Sequence, residues 1–118
     1  MSARVLLGNL EPIVRLGMAV VLEEDGIEVI GEEPRPQPLV LLAGRLRPDA
    51  VVLDLRHAAS RDLGDRIRSA SPDTTVVFWA RDEDLMEIAG PDGGERRRVP
   101  APARDDLRSA LAGSRVVR

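Results

Sequence analysis

The sequence predicts an α/β domain built on a doubly wound, parallel sheet of five strands, and three observations carry that prediction. Four short runs rich in valine, leucine and isoleucine recur along the 118 residues: "ARVLLG" at 3–8, "IEVIG" at 27–31, "AVVLD" at 50–54 and "TVVFW" at 75–79. Their lack of polar alternation suits strands buried on both faces of a parallel sheet. Between them lie stretches of helical periodicity, and this alternation at this spacing implies right-handed crossovers.

The elements follow in order. Pro12 opens the first helix at a favoured N-terminal position, and Ile13, Leu16, Gly17 and Val20 recur on one face before "EEDG" ends it. The second is entered through "PRPQP", read as a stiff lead-in, and places Leu39, Leu42, Ala43 and Leu46 at i, i+3, i+4 and i+7; Pro48 stops it. A third carries Leu63, Ile67 and Ala70 up to "SPDT". Beyond 80 the periodicity fails. "RDEDLMEIAG" fits a short helix with Leu85, Ile88 and Ala89 inward, "ERRRV" is too charged for a buried strand and is expected as a short edge strand or loop, and a last helix is expected from near Arg104 with Leu107, Ala110 and Leu111 inward. One domain over 1–118 is expected, with linker from about residue 113.

Composition narrows the function. There is no lysine and no cysteine, which excludes lysine-amine mechanisms, thiol chemistry, disulfides and thiolate metal sites. The only aromatic residues are Phe78 and Trp79 and the net charge is −3, so neither base stacking nor affinity for a phosphate backbone is expected, and Arg96, Arg97 and Arg98 read as a solvated edge. The N-terminal segment has no long apolar run, so neither a signal peptide nor a membrane span is expected, and the location expected is cytoplasmic.

In doubly wound sheets ligands sit at the carboxyl ends of the strands, beside the point where strand order reverses. Asn9, Asp54 and Ala80 lie at those ends. Asp54 closes an otherwise apolar run, a costly place for an acid unless something uses or neutralises it.

The motif order resembles a response-regulator receiver domain, in particular the NarL/FixJ type that precedes LuxR-type DNA-binding domains. "RVLLGNLEPIVRLGMAVVLEEDGIEVIGE" looks like the first strand, acidic loop, first helix and second strand of that group; "RLRPDAVVLDLR" is similar to its approach to the phosphoacceptor, and "SPDTTVVFWA" to its fourth strand. The resemblance implies a flavodoxin-like receiver fold that takes a phosphoryl group from a sensor histidine kinase. It also implies five working groups: two acids that hold Mg²⁺, a nucleophilic aspartate, a Thr or Ser, and a lysine.

Only Asp54 keeps its role under that resemblance. The acidic pair falls on Asn9 and Leu10, followed by Glu11 and Pro12; the hydroxyl position falls on Ala80; the lysine position falls near Arg98 or Val99. A carboxylate accepts a phosphoryl group only where a dication offsets the crowded oxygens, so the Mg²⁺ site is expected to be lost and no cofactor is expected. Arg98 is a candidate ion-pair partner for Asp54. One histidine without spaced partners is a weak signal for a substitute metal site at Glu11, Asp54 and His57, and a solvated loop is expected there instead.

The expected function is therefore that of an atypical, phosphorylation-independent receiver, not an enzyme. It would regulate transcription through dimerisation or other protein contacts, with a small organic ligand near Asn9, Asp54 and Ala80 as an added option. A working phosphoacceptor at Asp54 and a purely structural dimerisation domain are the alternatives. Leu85, Met86, Leu107 and Leu111 are candidates for the homodimer surface that this region often supplies in receivers, although apolar residues at helical spacing are first of all core. In the family a LuxR-type DNA-binding domain follows such a chain end.

Overall fold

The computed structural model describes residues 3–80, 85–89 and 96–100. Their order is β1 (Arg4–Leu7), α1 (Pro12–Glu24), β2 (Glu28–Glu32), α2 (Pro36–Leu46), β3 (Ala50–Asp54), α3 (Ser60–Ala70), β4 (Thr75–Ala80), β5 (Leu85–Ala89) and β6 (Arg96–Pro100). One sheet joins the strands in the order β2-β1-β3-β4-β5-β6. The first four are parallel, whereas β5 and β6 are antiparallel to their neighbours. The predicted α/β class, with its receiver-like doubly wound arrangement, is the one observed.

Successive strand residues point to opposite faces, so the apolar runs feed two cores. On one face Val5, Leu7, Val52 and Val77 pack with Met18 and Leu22 of α1. On the other, Leu6, Val51, Leu53, Val76 and Phe78 pack with Leu39 and Ala43 of α2 and with Leu63 and Ile67 of α3. The inner faces expected for α2 and α3 are thus the observed ones. In α1 the buried residues are Met18 and Leu22, while Ile13, Leu16 and Val20 face solvent.

Helix ends follow local chemistry. Gly26, at φ 78°, supplies the left-handed turn after α1, and Arg47 takes the same region at φ 46° where Pro48 prevents α2 from continuing. In the turn from β2 to α2 the Arg35 guanidinium forks onto Glu33 at 2.9 and 3.1 Å, and those hydrogen bonds hold the Glu33 carboxyl below the ordinary range.

Past β4 the structure corrects the sequence reading. Residues 85–89 form a strand rather than a short helix, and the sheet has six strands because β5 and β6 extend it. "LMEIA" meets helical and extended templates equally over five residues, and pairing with both β4 and β6 decides it. The charged segment is an edge strand, β6, as one of the two expectations had it. The helix expected from Arg104, and with it Leu107 and Leu111, lies outside the described residues.

Close packing of α3 on β4 gives a direct test. A Cβ built on buried Gly64 would stand 2.7 Å from Cζ of Phe78. Alanine raises helix propensity by about 1 kcal/mol, and overpacking costs about 1–3 kcal/mol. Gly64→Ala is therefore expected to lower stability by about 1 kcal/mol in urea denaturation; a gain would show that the Phe78 ring has room to turn.

Candidate functional site

The site lies where strand order reverses, at the carboxyl ends of β1 and β3. Gly8 leaves β1 with its N–H on the Val52 carbonyl at 2.9 Å. A side chain there would meet Leu53 and Leu39 Cδ2 atoms at 2.6 and 2.8 Å, so glycine is what lets the chain turn this close to β3. The Leu10 N–H then closes on the Gly8 carbonyl at 2.8 Å, which sets Asn9 over the end of β3.

Both polar atoms of the Asn9 side chain are hydrogen-bonded. Its Oδ1 accepts the Asp54 N–H at 2.9 Å, and its Nδ2 donates to Ser60 Oγ at 2.9 Å. The Ser60 hydroxyl donates in turn to the Asp54 main-chain carbonyl. These three hydrogen bonds close a ring through the exit of β1, the end of β3 and the first residue of α3. Ser60 is buried while Asn9 and Asp54 are half-buried, so the ring is partly shielded from competing water. The Asp54 carboxylate is used locally as well: Oδ1 accepts the Arg56 N–H at 2.9 Å.

The remaining candidates divide clearly. Leu10 is 4% exposed and belongs to the α1-side core, while its carbonyl accepts from Arg15 at 2.8 Å. Glu11 is exposed, and Ala80 is fully buried without a hydroxyl. His57 is exposed, and its Nδ1 accepts the Ala59 N–H at 3.1 Å. Among the described residues no group of three or more His, Asp or Glu side chains is placed to hold a metal ion. At the acidic-pair position the Asn9 amide oxygen accepts from the Asp54 N–H and Leu10 offers only hydrocarbon, so neither residue supplies a carboxylate to a dication.

Arg98 lies on β6, three strands along the sheet from β3. The ladder pairs Arg98 with Glu87, Glu87 with Phe78 and Phe78 with Leu53. Three strand spacings put its backbone roughly 14 Å from that of Leu53, in a row one residue out of step with Asp54. Leu85 and Met86 sit on β5, a strand hydrogen-bonded on both sides rather than a helix.

Three features escaped the sequence reading. Ser60 completes the ring with Asn9 from 51 positions away. Glu87, 3% exposed in the middle of β5, receives both arms of the Arg61 guanidinium from α3 at 3.0 and 3.2 Å. Such a fork suits a buried carboxylate and ties α3 to β5. Trp79, the cross-strand partner of Asp54, buries its indole Nε1 without a hydrogen-bond partner. No local signal marks any of the three, because each depends on strand register.

Comparison with known proteins gives two kinds of likeness. No family model matches the chain. Over 89 residues it is 38% identical to the transcriptional regulatory protein PdtaR of Mycobacterium tuberculosis, in two strains, covering 73% of this chain and 43% of that protein. The chain therefore spans less than half the length of the curated relatives it matches. Among solved structures, a mutant of the anti-anti-sigma factor PhyR from Bartonella quintana superposes with a TM-score of 0.65 at 18% identity, over 97% of this chain and 48% of that one. PhyR complexed with the anti-sigma factor NepR, from the same organism, gives 0.59 at 18% identity, over 99% and 48%. At that identity the structural likeness speaks for the fold alone. No helix among the described residues is long and apolar enough to cross a membrane.

Proposed function

We propose that this chain, a receiver-type domain by fold, works in transcriptional control through contacts with other proteins, and that Asp54 serves structure rather than phosphotransfer. The observation that carries this reading is the closed ring of Asn9, Asp54 and Ser60. It commits both polar atoms of Asn9 at the position where an ordinary receiver holds a metal ligand. Leu10 in the core and Ala80 at the hydroxyl position support it. Without a dication, negative charge gathering on an Asp54 phosphoryl group is not offset, and the barrier to transfer stays high. The names of the relatives agree in kind: PdtaR is a transcriptional regulatory protein, and PhyR is an anti-anti-sigma factor seen with a protein partner.

The test is direct. The chain is incubated with acetyl phosphate and Mg²⁺, and intact mass is compared between wild type and Asp54→Ala. Trp79, the sole tryptophan and the ladder partner of Asp54, supplies a fluorescence signal beside the site. No phosphoryl adduct and no fluorescence change are expected under conditions that label an ordinary receiver. An adduct present in wild type and absent in Asp54→Ala overturns the proposal.

A further inference from the structure

The two edges of the sheet carry opposite charge. Among the described residues β2 and β6 are the outermost strands, each paired on one side. β2 reads "EVIGE", with Glu28 exposed at its amino end, and Glu23 and Glu24, also exposed, stand in the last turn of α1 just before it. At its other end Glu32 already meets Arg15 at 3.5 Å. β6 places Arg96, Arg97 and Arg98 at three successive positions from its amino end. An open edge presents unpaired N–H and C=O groups, and charge is the usual means of keeping another strand away. With acids on one edge and arginines on the other, each edge repels its own kind and attracts its opposite.

We propose that the chain self-associates head to tail, the β6 edge of one copy taking the β2 edge of a second copy as its next strand; this goes beyond the protein-contact reading and does not depend on what Asp54 does. Strand direction allows it. β2, β1, β3 and β4 run parallel, β5 runs against β4 and β6 against β5, so β6 points the same way as β2. A copy set beside another in the same orientation continues the sheet in parallel, and the arginine end of β6 comes beside the Glu28 end of β2. The same charges act against symmetric pairs. A two-fold pairing of β2 edges centred on Ile30 sets Glu28 opposite Glu32, and a two-fold pairing of β6 edges brings the two arginine triplets together. A heterologous contact leaves one open edge at each end of the assembly, so copies add in a row. Five residues a side make a small contact, and growth is expected to be weak, reversible and sensitive to salt.

Sedimentation velocity of the full chain over a concentration series at low salt provides the test. Wild type is expected to form species larger than a dimer as concentration rises, and to return to monomer as salt rises. Two charge-reversed variants are expected to associate about tenfold more weakly or worse. One combines Glu23→Arg with Glu28→Arg and makes both edges cationic; the other combines Arg96→Glu, Arg97→Glu and Arg98→Glu and makes both anionic. Arginine in the last turn of α1 suits the helix dipole, and thermal midpoints equal to wild type exclude unfolding as the cause. An equimolar mixture of the two variants is expected to regain association, because each edge again meets its opposite. Wild type that stays monomeric at low salt, growth that stops at a dimer, or a mixture that does not associate overturns the proposal. So does association that reversal of β6 abolishes and reversal of β2 leaves intact, which would make some surface other than the β2 edge the occupant. A phosphoryl adduct at Asp54 would overturn the silent-site reading and leave this one standing, so the two fail separately.

Discussion

Leu10→Asp is expected to lower the stability of the domain by about 3–5 kcal/mol, and added Mg²⁺ is not expected to recover it. Two costs combine. The leucine side chain is 4% exposed against Val5, Leu7 and Met18, and removing it forfeits roughly 1.5–3 kcal/mol of burial. A carboxylate in that setting must shed its hydration or protonate, which adds a penalty of similar size. Against a total stability of about 5–15 kcal/mol for a domain, the urea midpoint should fall steeply. The substitution is informative because it restores an acid where the receiver resemblance puts one. A loss under about 1 kcal/mol, or recovery with Mg²⁺, would mean that the turn after β1 swings the new acid to solvent and that a metal site is still latent there.

What made this corner legible is uneven across the chain. Strands β1, β3 and β4 announce themselves because each is buried on both faces, so its sequence is a nearly continuous apolar run. In α2 and α3 the apolar residues fall mostly on one side, with Leu41 the exposed exception, and periodicity chooses the correct face. It cannot choose in α1, where "PIVRLGMAVVLEE" is apolar nearly all round and the stripe that reads best is the one left in solvent. Residues 85–89 fail for a related reason: four apolar residues around Glu87 fit either conformation, and the group that makes Glu87 tolerable inside a strand is Arg61, 26 positions earlier. Asp54 was recognisable as an acid in an unusual place. Its neighbours in space, Ser60 and Trp79, were recognisable only once register was known.

That ring leads to the second large effect. Asn9→Ala and Ser60→Ala are each expected to cost about 1–3 kcal/mol, because each leaves buried or half-buried polar groups short of a partner. The two are not equivalent. Asn9→Ala removes the acceptor for the Asp54 N–H and the donor to Ser60 Oγ together. Ser60→Ala strands the Asn9 amide, but the Asp54 carbonyl keeps the His57 N–H at 3.2 Å. Asn9→Ala should therefore be the costlier change. If the three bonds form one cooperative unit, the double variant will cost less than the sum of the single ones, by about 1 kcal/mol in a double-mutant cycle, since the first substitution already forfeits the shared bond. Additivity within about 0.5 kcal/mol would mean that the links act independently, so that the β3–α3 turn is free to respond to chemistry at Asp54 one contact at a time. Coupling would instead make the exit of β1, the end of β3 and the start of α3 a single locked joint. A locked joint resists the loop rearrangement that a phosphoryl group would have to drive, which leaves the exposed faces of the domain as the part of the molecule able to carry a signal.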